Sequence, residues 1–276
     1  MNKRILITRG PGGLPGLDAH LGAWTAFDEA GLTPAMVCGT SAGALVSAFQ
    51  AAGHQPSTMS RLLRSLDKGD VIHKRIGWLT CVALGEHWLD PAPIKALLAE
   101  WLPESLAALK MPFVPGITCM ECEQCHSGLP HDCVTKLLPL RQCVLASMSI
   151  AGVWPYVTDE SGNCYSDGGT TCPFPAPADL RNYDLVLAVQ ITRTTPFPKR
   201  DENCVSRLLW NVEMFQRRAE AEALEDLGEA CGKAGAKFAH LELRFEDLST
   251  LRFSDGHSLI DSAYVQARNF LQNNSL

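Results

Sequence analysis

Short runs of consecutive apolar residues alternate along the chain with longer stretches in which apolar residues recur every three or four positions. Residues 4–8 (RILIT) form the first short run and read as a buried strand, followed at once by the glycine-proline cluster GPGGLPG. Leu17, Leu21, Trp24 and Phe27 then recur at helical spacing, which predicts an amphipathic helix ended by Gly31. Residues 35–38 (AMVC) read as a second strand. The turn GTSAG leads from it into AGALVSAFQAA, a helix apolar nearly all round, hence buried, and ended by Gly53. Asp90 and Pro91 mark the start of a helix through IKALLAEWL, residues 114–135 read as strand, polar turn and strand, and 137–149 as a helix. The run DLVLAVQI (184–191) is continuous enough for a central parallel strand. Val205, Leu208, Leu209, Val212 and Phe215 mark a long helix, residues 236–244 alternate as a strand, and Leu259 to Phe270 read as a last helix. Strands thus alternate with helices throughout, which predicts an α/β fold with a mostly parallel sheet flanked by helices.

Composition narrows this picture. The chain has 276 residues, 46% of them apolar and 20% charged, so it can bury a large core and disorder is excluded as its dominant state. No linker or repeat interrupts it, and a single domain over 1–276 is expected, with the core motifs in about 4–192 and residues 193–276 completing the same unit. The formal charge is −6, and no basic cluster stands ready to neutralise phosphates, so nucleic acid is not an expected partner. Only a short apolar run precedes Gly10, and nowhere do about 18 uninterrupted apolar residues occur, so neither a signal peptide nor a spanning helix is expected. These features predict a cytoplasmic protein. The 11 cysteines are an odd number and several lie in apolar segments, which favours reduced thiols over a disulfide framework.

Three motifs carry candidate chemistry. Gly39-Thr40-Ser41-Ala42-Gly43 is a G-x-S-x-G between a strand and a helix. That spacing lets a serine sit on a sharp turn, above the sheet edge and at the positive end of the following helix. Gly10 to Gly16 could turn several backbone N–H groups towards an anion. The segment lacks the last glycine of a dinucleotide fingerprint, having Pro15 there, and lacks the G-K-[ST] of a phosphate loop. An oxyanion hole and a plain glycine-rich turn remain as its two uses. Ser166-Asp167-Gly168-Gly169 is by itself either a turn or a functional aspartate loop.

In this order the three motifs resemble the patatin-like phospholipase family. HLGAWTAFDEAG (20–31), VCGTSAGALVSAFQAAG (37–53), LASMSIAGVWPYV (145–157) and YSDGGTTCPFPA (165–176) extend the likeness over most of the chain. The third of these is similar to a family stretch written AS-x-x-I-P-G-x-F, with Ala151 in place of the proline. In the glycine loop, Pro15 or its neighbour stands where the family has a basic residue. The resemblance implies a three-layer patatin-like fold and hydrolysis of phospholipid or other lipid esters through a covalent acyl-enzyme. It makes Ser41 the nucleophile and Asp167 the general base of a Ser–Asp dyad, with Gly12 and Gly13 in the oxyanion hole. No cofactor or metal is implied. Two other readings stay open: an acyltransferase using the same dyad, and a non-catalytic lipid- or zinc-binding regulator on the same fold.

Other groups compete for these roles. A Ser–His–Asp triad would need His240, in an alternating strand, or His257, in a loop, and the strand order before Ser41 suits the dyad better. Cys119, Cys122, Cys125, His126, His131 and Cys133 carry zinc-type spacing. On a regular hairpin, however, only Cys122, Cys125, His126 and His131 near the turn could converge. Residues 71–89 place Trp78 and Trp88 among aliphatic residues beside Lys74 and Arg75, which suits peripheral contact with a membrane surface, core packing or a lid.

Overall fold

A computed structural model describes residues 3–65, 87–121, 138–194, 204–246 and 257–276. The described residues form a seven-stranded mixed sheet with helices on both faces. The N-terminal part runs β1 (Ile5–Arg9), α1 (Gly13–Glu29), β2 (Pro34–Thr40), α2 (Ala42–Ala51), α3 (Pro56–Ser65) and α4 (Ala92–Trp101). A single 3-10 turn, Leu106–Ala108, leads to β3 (Phe113–Cys119). After it come α5 (Leu140–Met148), β4 (Val157–Thr158), β5 (Cys164–Asp167), β6 (Leu185–Thr194), α6 (Cys204–Ala234), β7 (Lys237–Glu246) and α7 (His257–Asn274).

The strand order is β4-β5-β3-β2-β1-β6-β7. Strands β3, β2, β1, β6 and β7 are mutually parallel, whereas β5 runs antiparallel to β3, and β4 to β5. Side chains alternate between the faces: Ile5 and Ile7 enter one core with α1 and α2, while Leu6 enters a second core with Val186, Ala188, Leu227 and Cys231 beneath α6. Both faces are covered, which is why β1 and β6 read as unbroken apolar runs rather than as alternation.

Three sequence expectations change in the structure. The first helix starts at Gly13, inside the glycine cluster, and it is buried nearly all round rather than on one stripe. Its outer face is covered by α7, which comes so close at Gly22 that a Cβ there would sit 2.8 Å from the Ala263 side chain. On α6, Phe215 belongs to the apolar spacing, yet it is 70% exposed. The hairpin partner of β3 expected over 114–135 lies largely outside the described residues; within them β3 pairs with β2 and β5. Trp88 is half-buried against the main core, its N–H donating to the Gly152 carbonyl at 3.3 Å, while Trp78, Lys74 and Arg75 lie outside the described residues.

Candidate active site

The candidate nucleophile is placed by a turn with no slack. Ser41 follows β2 and caps α2, and its φ of 56° lies in the left-handed region that non-glycine residues rarely adopt. Strain of this kind costs on the order of 1–3 kcal/mol and survives only where the surroundings enforce it. Here α2 presses against the end of β1: a Cβ on Gly43 would lie 2.6 Å from the Gly10 carbonyl oxygen, so only glycine allows the approach. The Ser41 N–H is held as well, donating to Ser147 Oγ at 2.9 Å, while Ser147 donates to the Gly116 carbonyl at 2.7 Å.

Sheet register brings the second motif to the first. In the β2–β3 pairing Thr40 stands opposite Gly116, and in the β3–β5 pairing Ile117 stands opposite Asp167. Ser41 and Asp167 therefore flank the same point of β3. Gly168 makes the junction tight, since a Cβ there would lie 2.6 Å from the Gly116 carbonyl carbon. The N–H of Gly169 donates to Asp167 Oδ1 at 2.7 Å. Oδ2 is buried and makes no hydrogen bond of regular geometry among the described residues. Burial pushes the Asp167 pKa up to about 6, partly offset by the Ser41 hydroxyl and the Gly169 N–H, both of which favour the charged form.

Gly13, Leu14, Leu17, Ser41, Ala42, Met148, Ile150 and Trp154 line a small cavity of about 20 Å³. Gly13 and the candidate nucleophile thus line the same cavity. Gly12 stands one step behind as the cap of α1, where a Cβ would lie 2.7 Å from Ile191 Cδ1. Pro15 falls in the first turn of α1, where N–H groups have no partner within the helix, so its missing donor removes no helical hydrogen bond. The N-termini of α1 and α2 both open on this cavity, which favours negative charge there. Sequence reasoning assigned no role to Ser147 or Trp154, although both lie in the stretch 145–157 that carried the family resemblance. The Trp154 indole Nε1 is buried without a partner among the described residues.

The rival groups fall elsewhere. Among the described residues no histidine lines the cavity at Ser41. His240 Nε2 faces Gln190 Oε1 at 3.0 Å, and His257 begins α7. Of the six candidate zinc ligands only Cys119 is described, buried in β3 opposite Tyr165. Among the described residues no group of three potential ligands gathers, and no helix is long and apolar enough to cross a membrane. A larger groove of about 400 Å³, lined among others by Lys95, Arg141 and Tyr156, contains neither Ser41 nor Asp167.

The fold and site define a mixed α/β protein that raises a strained serine between two helix N-termini, beside a half-buried aspartate whose Oδ2 is enclosed. The sequence profile described as "Patatin-like phospholipase" matches residues 12–180, well over half of the chain, and the protein belongs to that family. Membership supports a lipid hydrolase activity. Among solved structures, VipD from Legionella pneumophila is similar in fold, with a TM-score of 0.57 and 15% identity over 99% of this chain and 67% of its own. The type III effector protein ExoU aligns at a TM-score of 0.45 and 15% identity, over 99% of this chain and 54% of its own. No curated protein matches the sequence.

Proposed function

We propose that the protein hydrolyses acyl esters of lipids through Ser41 and Asp167. One observation carries this reading. A serine in a strained turn at a helix N-terminus stands next to a buried carboxylate whose outer oxygen has no other regular partner. Asp167 takes the proton of Ser41 as Oγ attacks the ester carbonyl, forming a tetrahedral oxyanion. The negative charge develops beside the Gly13 N–H, with Gly12 behind it, and between the positive ends of α1 and α2. When the C–O bond breaks, the leaving alcohol takes that proton from Asp167 and the acyl group stays on Ser41. Asp167 then deprotonates a water molecule, whose oxygen attacks the acyl carbonyl; as the bond to Ser41 Oγ breaks, Asp167 returns that proton to Oγ, releasing the fatty acid and restoring the dyad. A carboxylate is normally too weak a base for this task, and a pKa raised to about 6 brings it nearer the operating pH.

Ser41 is only 6% exposed and its cavity is far smaller than an acyl chain. Substrate entry therefore requires Met148, Ile150 or Trp154 to move, and the lipid must leave its aggregate to reach the serine. The test is intact mass after treatment with a fluorophosphonate, comparing wild type with Ser41→Ala and Asp167→Asn. A single adduct lost in both variants, together with loss of ester turnover, is the expected result. A well-folded wild type that takes no adduct would overturn the reading.

A further inference from the structure

The long helix α6 contributes a buried carboxylate that the dyad does not use. Glu220 is 4% exposed. Both of its oxygens accept amide protons: Gln190 Nε2 donates to Oε2 at 2.9 Å, and Gln216 Nε2 to Oε1 at 3.1 Å. Gln190, on β6, is oriented in turn by His240 of β7, which faces its Oε1. The charged groups around this cluster are Arg193 from β6, Glu213 and Arg217 from α6, and Glu242 with His240 from β7. The Arg217 guanidinium also donates to the Arg193 carbonyl and, at 2.8 Å, to Glu213.

At its other end the network reaches the loop of the candidate base. Gln216 stands next to Gly169: a Cβ built there would lie 3.7 Å from Cδ and Nε2 of Gln216, and 3.0 Å from Asp167 Oδ1. Gly169 is the residue whose N–H holds Asp167 Oδ1. We infer that Glu220 is a positioning residue for Asp167, acting through Gln216: its carboxylate holds the Gln216 amide against Gly169, which keeps Asp167 Oδ2 towards Ser41. This inference rests on the dyad reading.

The arrangement depends on charge. Ionised Glu220 accepts from both amides at once. Because His240 already occupies Gln190 Oε1, Gln190 can only donate, and a proton arriving on Glu220 settles on Oε1, where it meets the Gln216 N–H. That amide then has to turn or withdraw from Gly169. Burial pushes Glu220 up to about 7, opposed by Gln190, Gln216, Arg193 and Arg217, so it titrates close to Asp167. Two ionisations, not one, then govern the acid limb.

The test follows the rate of Ser41 modification by a water-soluble fluorophosphonate as a function of pH. It uses the full chain as wild type, Glu220→Gln, Gln216→Ala and the double variant, with unfolding temperature recorded for each. The wild-type acid limb is expected to steepen beyond the roughly tenfold per pH unit of one proton, towards about 100-fold per unit. In Glu220→Gln it becomes a one-proton limb. Gln216→Ala slows labelling across the pH range, and adding Glu220→Gln to it costs less than the product of the two single effects. A merely structural role would lower the unfolding temperature and leave the steepness of the acid limb the same in wild type and variant. Glu220→Gln with the wild-type profile, or Gln216→Ala at the wild-type rate, overturns the inference while leaving the dyad standing. Absence of any Ser41-dependent adduct in the wild type overturns the dyad and this inference together.

Discussion

The Ser41 turn and the Asp167 loop do complementary jobs and are built in opposite ways. Ser41 is held mainly by its immediate chain neighbours, since β2 enters, α2 leaves and Gly43 lets the helix press on β1, with Ser147 Oγ as a remote partner for its N–H. Asp167 is held by groups remote in sequence, among them Ser149, whose carbonyl accepts the Asp167 N–H at 3.1 Å, and Thr118, whose hydroxyl donates to the Asp167 carbonyl at 2.9 Å. The proposed nucleophile is therefore set mainly by its local turn, and the proposed base mainly by tertiary contacts. Damage to the first is expected to appear mainly as lost stability, and damage to the second mainly as lost activity.

The largest expected effect is on chemistry. Ser41→Ala and Asp167→Asn should each lower ester turnover by roughly 10⁴-fold or more, as removal of one member of a nucleophile–base unit does elsewhere. Their stabilities should diverge, and denaturant titration at neutral pH checks this. Asp167 has a folded pKa of about 6 against 3.8 for an ordinary aspartate, so between these values the folded chain holds a proton that the unfolded chain has lost. Stability then falls as pH rises through that window. At about 1.4 kcal/mol per pH unit the deficit at neutral pH is on the order of 3 kcal/mol. Asp167→Asn removes it and should stabilise the inactive protein. Activity has the opposite sign, because the base must be ionised, and turnover should drop as pH falls through about 6.

Next in size comes the pair of glycine substitutions that set the two regions side by side. Gly43→Ala forces a methyl group into the β1 backbone and should cost about 3 kcal/mol or prevent folding, read by thermal unfolding. The nearest atoms to a Gly169→Ala methyl group are Asp167 Oδ1 and the end of the flexible Gln216 side chain, so it should cost about 1 kcal/mol or less while slowing turnover about tenfold. Equal losses of stability in the two variants would erase the contrast.

Ser147→Ala bridges the two regions. It leaves the Ser41 N–H and the Gly116 carbonyl without their partner and should cost about 1–3 kcal/mol. Trp154→Phe should have the smallest effect on folding. It removes a buried N–H that has no partner among the described residues, so the unfolding temperature should hold or rise, with any kinetic change confined to KM.

Much of the architecture was legible in the chain. Strands β1, β2, β6 and β7 and helices α2, α4, α5 and α7 stand where apolar spacing and capping residues put them, within a few positions. Asp90 illustrates the level of detail: its Oδ1 accepts the Ala92 N–H at 2.9 Å at the start of α4. The start of α1 was not legible, because a glycine-proline cluster reads as a turn and only the converging sheet edge makes it a helix. The full burial of α1 was hidden for a similar reason: the covering helix, α7, comes from the far end of the chain.

By itself the sequence determined what depends on neighbours along the chain: the order of strands and helices, the turn that strains Ser41, and the need for glycine beside it. Local steric exclusion acts over a few residues, and a short motif can encode it fully. Only the tertiary structure decided what depends on register and helix crossing. It set Asp167 opposite Ile117 and so beside Ser41, buried its carboxyl enough to raise the pKa, and laid Gln216 of α6 against Gly169. Periodicity says which face of an element is apolar; it does not say which distant element will cover that face, and the electrostatics of a site follow from that cover.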